Sequence, residues 1–235
     1  MELCIDANIV SLLRGKKPSK SPFTLTVTPN IWNVLETEEN IINEAVRSIT
    51  IPEFDGQQDL VKYRIWDGRL DYFCVPKTGA SFQDMSNGVR VNLRGVQFRA
   101  IVKGRVELGK KVFGKWVQIA RMSGDIKATC ENADVDITLV WNDFTFTPTV
   151  TVNSDFHIEF THHLRNLDFL RGEIQKRVRN KVNSEVPQKI AEVIENKVNP
   201  RLQKFKEKMI AKGYSDYDIE WNVENNALQV CIKPK

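Results

Sequence analysis

The feature that most limits how this chain folds lies between Leu164 and Gly213. There Leu167, Leu170, Ile174, Val178, Val182, Val186, Ile190, Val193, Ile194, Val198, Leu202, Phe205 and Met209 return every three or four residues. That spacing places apolar side chains on one face of an α-helix. A helix of about forty residues is about 60 Å long at 1.5 Å per residue, so its stripe needs an equally long apolar partner. Pro187 and Pro200 predict kinks, because each removes an internal hydrogen bond and crowds the preceding turn. Gly213 predicts the stop.

The partner is legible upstream, where the period changes to two. Tyr63, Ile65, the run Gly68 to Val75, and Val89, Val91 and Leu93 against Arg90, Asn92 and Arg94 alternate as half-buried strands do. After Gly95 the phase moves to Val96 and Phe98, which predicts a bulge that bends the sheet. Val102–Leu108, Trp116–Met122, Ile126–Cys130, Ala133–Trp141 and Phe144–Phe160 continue the pattern, with short turns at Gly109, Gly114 and Gly124. Consecutive strands of this kind pair as hairpins. Ile219, Trp221 and Val223, then Leu228, Val230 and Ile232, read as one or two closing strands. Ahead of the sheet, residues 14–30 read as irregular, and Ile31, Val34, Leu35, Ile41, Ile42, Ala45, Val46 and Ile49 as a first helix ended by Pro52.

This order predicts an α+β fold, a long kinked helix wrapped by a highly curved antiparallel sheet, with space left between them for acyl chains. Residues 1–29 form a lead-in, 30–213 the barrel, and 214–235 closing strands or the start of a second half. The 235 residues are 41% apolar with 12 Phe and 5 Trp, enough for a sizeable core and against disorder. The net charge of +4 conceals an uneven distribution. Residues 61–121 and 165–213 are strongly basic, and 122–164 between them are acidic. Basic blocks attract phosphate on lipid headgroups or nucleic acid, or form a solvated face.

Motifs for catalysis and metals fail on detail. Gly109 to Trp116 has the glycine and lysine spacing of a phosphate-binding loop, but Trp116 stands where Ser or Thr must reach magnesium, and a strand follows instead of a helix. His157, His162 and His163 have no ligand partner at a zinc spacing. Asp134 and Asp136 share a strand face, as paired glycosidase carboxylates do, but read as the solvent side of that strand. Cys4, Cys74, Cys130 and Cys231 are scattered. No catalytic residues, metal ligands or cofactor are expected. Met1–Lys20 lacks the basic-then-apolar order of a secretory signal. Nucleic acid is an unlikely partner, since no recognition motif accompanies the basic block. Lys110, Lys111 and Lys115 around Val112, Phe113 and Trp116 suit an anionic membrane surface, aromatics entering the interface and lysines meeting phosphate.

Four short segments carry a resemblance. They are V-R-N-K-V-N-S-E-V-P-Q-K at Val178–Lys189, I-T-I-P-E-F-D at Ile49–Asp55, M-S-G-D at Met122–Asp125 and P-T-V-T-V at Pro148–Val152. In this order they resemble the N-terminal barrel of the family of bactericidal permeability-increasing protein, lipopolysaccharide-binding protein and the plasma lipid transfer proteins, over about residues 30–212. The resemblance implies a tubular lipid-binding fold that holds acyl chains in an apolar tunnel, a phospholipid or other acyl lipid as partner, an extracellular location, and roles in lipid transfer or innate immunity. It makes Ile174, Val178, Val182, Val186, Ile190, Ile194 and Val198 the lipid-binding stripe. It also makes Lys110, Lys111 and Lys115 the hairpin tip that meets an anionic headgroup or lipopolysaccharide. The chain departs from the family pattern in its disulfide: the strand before the long helix has no cysteine, and Pro187 stands at the helix position, which removes about 2–4 kcal/mol of constraint. Many relatives have two barrels, and this chain has the length of one.

Overall fold

The structure is a computed structural model that describes residues 23–27, 48–76, 78–161, 164, 170–211 and 217–234. The first helix expected after Asn30 falls outside these residues except at its end, where Thr50–Ile51 is a strand, β2. The remaining strands of the barrel are β3 (Phe54–Gln58), β4 (Val61–Cys74), β5 (Ala80–Met85), β6 (Gly88–Val112), β7 (Lys115–Asn142), β8 (Thr145–Asn153) and β9 (His157–Phe160). They form one eight-stranded antiparallel sheet, ordered β2-β4-β6-β7-β8, in which β3 also pairs with β4, β5 with β6 and β9 with β7.

The sheet bends where the sequence changes phase. Along β6 the buried apolar residues are Val89, Val91 and Leu93, then Val96, Phe98, Ala100, Val102 and Val106. Gly95 between them has φ +68°, a conformation that costs a residue with a Cβ. The extra residue on β6 between Leu93 and Val96 is answered by one on β7 between Cys130 and Ala133, so both strands turn the same corner. Two glycines read as turns lie inside strands instead. Gly109 belongs to β6, where a Cβ would overlap the Trp116 ring, and Gly124 belongs to β7 under Leu164. The five short runs expected from Val102 to Phe160 are thus the end of β6, the single strand β7, and β8 and β9.

The long helix is α1 (Arg171–Val193), a π-helical turn at Ile194–Val198 and α2 (Asn199–Ala211), 41 residues in all. α1 runs on through Pro187. The wider turn comes just before Pro200, whose missing N–H cannot serve the α-helical register. Gly213 lies outside the described residues. Ile174, Val178, Val182 and Val186 are at most 1% exposed and share one core with all the barrel strands. Burying each is worth about 1.5–3 kcal/mol.

A second, three-stranded sheet is ordered β1-β11-β10, from β1 (Phe23–Val27), β10 (Tyr217–Glu224) and β11 (Ala227–Pro234). β1 corrects the expectation of an irregular lead-in: its Phe-Thr-Leu-Thr-Val alternates, and it pairs with β11 across two hundred residues, a partner no local signal names. A contiguous set of aromatic rings, Trp141, Phe144, Phe146, Phe205, Tyr217 and Trp221, with centroids 5.0–6.1 Å apart, joins the β7–β8 hairpin to α2 and β10.

Candidate functional site

The expected lipid-binding stripe follows the inner face of the long helix. Ile174 to Val186 are fully buried against the sheet, while Ile190 and Ile194 are half-buried at the margin of the same core. Val198, at the end of the π turn, is also half-buried. The structure therefore brings six of the seven, Ile174 to Ile194, onto one apolar surface, with the first four sealed by the sheet.

The two flanks of that stripe are fastened differently. On one side Gln175 donates to Asp155 at 3.2 Å, Arg179 lies 3.6 Å from the same carboxylate, and Asn183 Oδ1 accepts from the Ser154 N–H and hydroxyl. Further along, Asn199 Oδ1 accepts from the Phe146 N–H at 2.8 Å and Asn199 Nδ2 donates to the Phe146 carbonyl at 2.9 Å. The amide thereby satisfies the free edge of β8 as a neighbouring strand would. Asn226, in the β10–β11 turn, does the same for β5 through Phe82 N–H and Ala80 O. On the other flank Arg177, Asn180, Lys181 and Ser184 face Ile51, Pro52, Glu53 and Phe54 across a groove of about 300 Å³. Arg177 lies over the Phe54 ring, 5.1 Å from its centroid, and bonds Glu173 at 2.6 Å. That bond raises the guanidinium's pKa further. Burial, helped by Glu173, pushes the Tyr63 phenol beneath it upward.

The three candidate headgroup lysines are together at the tip of the β6–β7 hairpin, in register as Lys110 opposite Val117, Lys111 opposite Trp116 and Lys115 opposite Val112. Phe113 and Gly114 form the two-residue turn, with φ of +48° and +77°. A bulky side chain in that conformation is uncommon, and Phe113 is fully exposed. Of the seven large apolar side chains exposed among the described residues, four, Leu60, Phe113, Val117 and Ile119, are at this end. Trp116 is pinned beside them: its Nε1 donates to Leu60 O at 3.3 Å, and Lys62 Nζ stands 4.0 Å from its ring centroid. The lysines, Phe113 and Trp116 are legible in the sequence; Leu60, Val117 and Ile119 are not, since their place at the tip depends on a neighbouring turn and on the strand register.

The residues set aside by motif are also placed. Asp134 and Asp136 meet Arg94, at 2.8 and 3.8 Å. His157 is exposed on β9, and His162 and His163 lie outside the described residues. Cys74 and Cys130 are free thiols.

No protein-family model matches the chain, and no curated protein matches it in sequence. Solved structures do. The crystal structure of lipopolysaccharide binding protein matches 89% of the chain with a TM-score of 0.63 at 13% identity, and the chain spans 49% of that protein, about half its length. Takeout 1 of Epiphyas postvittana matches at 13% identity over 70% of this chain and 76% of its own, with a TM-score of 0.24. Among the described residues no helix is long and apolar enough to cross a membrane. The likeness is one of fold: this chain shares with lipopolysaccharide binding protein one long helix laid against a large, bent antiparallel sheet.

Proposed function

We propose that this chain is a non-enzymatic lipid-binding protein that holds acyl chains against the stripe Ile174, Val178, Val182, Val186, Ile190, Ile194 and Val198. The observation that carries the reading is the fold shared with lipopolysaccharide binding protein over 89% of the chain, taken with the apolar helix stripe from Ile174 to Ile194 in one core with the sheet. Each methylene moved from water to that face contributes about 0.8 kcal/mol, enough for a single acyl chain to bind without any covalent step. An extracellular location, transfer between membranes and a part in innate immunity belong to the same reading. Native mass spectrometry of the purified protein, with extraction of co-purified lipid, is the test. Added masses released as phospholipid or fatty acid are expected; a mass equal to the bare chain, unchanged after incubation with phospholipid vesicles, refutes it.

A second reading, a cationic module that meets anionic membranes or lipopolysaccharide without internal cargo, is favoured by one observation: the fully exposed Phe113 among Lys110, Lys111 and Lys115. Apolar side chains enter the interface there while the lysines meet phosphate. The triple Lys→Ala variant is expected to bind phosphatidylglycerol vesicles more weakly, with a flatter salt dependence. Unchanged vesicle sedimentation would remove the tip from the function.

A further inference from the structure

The geometry points to the groove between the β2–β3 segment and α1 as a portal and headgroup seat for an acyl lipid that carries a phosphate, an inference that rests on the lipid-binding reading above. The helical positions decide where a lipid can pass. Gln175, Arg179 and Asn183 lie on one flank of the buried stripe and are hydrogen-bonded or ion-paired to Ser154 and Asp155. Arg177, Asn180, Lys181 and Ser184 lie on the other flank and border about 300 Å³ of open space, the lower end of what a small-molecule site needs. Ile51, 4% exposed, lines that space and belongs to the same core as the stripe residues Val178 and Val182.

The groove's chemistry matches an amphiphile. Ile51, Pro52 and Phe54 give an apolar floor, and Arg177, Lys181 and Asn180 give two cations and a neutral donor along one edge. The acids present are already engaged: Glu173 by Arg177, Glu185 by Lys181 at 2.8 Å, and Glu53, on the groove wall, by Arg64. Arg177 and Lys181 each keep donors to spare beside those bonds, since a guanidinium carries five N–H groups and an ammonium three, so each can hold its carboxylate and a phosphate together. A phosphate resting there leaves its acyl chain at the seam with the stripe.

Uptake of a self-quenched fluorescent phosphatidylglycerol from phosphatidylcholine vesicles tests this. Ser184→Trp fills the groove from an exposed position and is expected to slow uptake severalfold. Arg177→Gln and Lys181→Gln are expected to lower the preference for phosphatidylglycerol over diacylglycerol by about tenfold, and Arg179→Gln on the fastened flank to leave both readouts as in the native chain. Native uptake rates in Ser184→Trp together with unchanged preference in both glutamine variants would overturn the portal and leave lipid binding standing. A native chain that takes up neither lipid would overturn both.

Discussion

Replacing Asn199 by Ala removes the two hydrogen bonds through which the helix substitutes for a missing strand beside β8. Both are short, 2.8 and 2.9 Å, and both are part-buried. Each is worth about 1 kcal/mol net, and a buried peptide group left unpaired costs about 1–3 kcal/mol. Water reaches this edge in part, and alanine returns at most about 0.7 kcal/mol through its better helix propensity. The net expectation is a loss of about 2–3 kcal/mol, or about 4–12 °C in melting temperature for a chain of this size. Asn199→Asp keeps an acceptor for the Phe146 N–H but sets a carboxylate against the Phe146 carbonyl, so it should lose at least as much. Urea titration followed by circular dichroism measures the stability, and hydrogen exchange at the Phe146 amide reports the local bond. An Asn199→Ala variant within about 0.5 kcal/mol of the native chain, the range of ordinary surface changes, with Phe146 still protected, would refute the view that this side chain closes the edge.

Gly95→Ala should cost about 1–2 kcal/mol, because its φ of +68° is left-handed and a Cβ would press on Pro76 at 3.2 Å; denaturant midpoints check it, and a neutral result would mean the β6 corner relaxes freely. Tyr63→Phe should alter the alkaline limb of stability. The folded phenol's pKa is raised by burial and then by Glu173, so its contribution is whole below the ordinary tyrosine range and is lost as pH rises through the folded value. Stability of the Phe variant should therefore fall less between neutral pH and the alkaline range, as read from urea midpoints against pH. Gly109→Val should displace Trp116, whose ring occupies the space a side chain would take, and change the tryptophan emission of the hairpin tip.

The parts of the fold that were legible in the sequence are those set by a local period. The helical stripe, the strand alternation and the switch of phase at Gly95 each follow from the direction in which neighbouring side chains must point. The strand lengths were not legible, because a glycine marks a turn in most sequences but sits inside β6 at Gly109, where Trp116 on the partner strand supplies the missing side chain. Asn199 and Asn226 read as ordinary polar residues, and their roles depend on Phe146 and on Ala80 with Phe82, 53 and 144–146 residues away. The tip lysines were legible as a charged run. The groove was not, since Arg177, Lys181 and Ser184 alternate with acids and look like any solvated helix face until the β2–β3 segment is laid beside them.

The unequal fastening of the helix has a dynamic consequence. Asn199 bonds the start of α2 to Phe146 on β8, and Asn183, Gln175 and the Arg179 ion pair bond α1 to Ser154 and Asp155 just past the strand's end. β2 is two residues long, held to β4 at Thr50 opposite Arg69 and Ile51 opposite Gly68, and by Leu70 N–H to Ile49 O at 3.3 Å. Separating β2 from the helix exposes Ile51 and the near side of Val178, whereas separating β8 breaks the hydrogen bonds and opens the core from end to end. Local openings cost less free energy than global unfolding in proportion to the contacts they release. The amides that pair β2 with β4 should accordingly exchange through an opening well below the global stability, and those of β7 and β8 only with global unfolding. Native-state hydrogen exchange across a denaturant series separates the two cases. If the β2 amides join the global unfolding line with β7, the seam is as closed as the rest of the barrel, and lipid would have to reach the helix by another route.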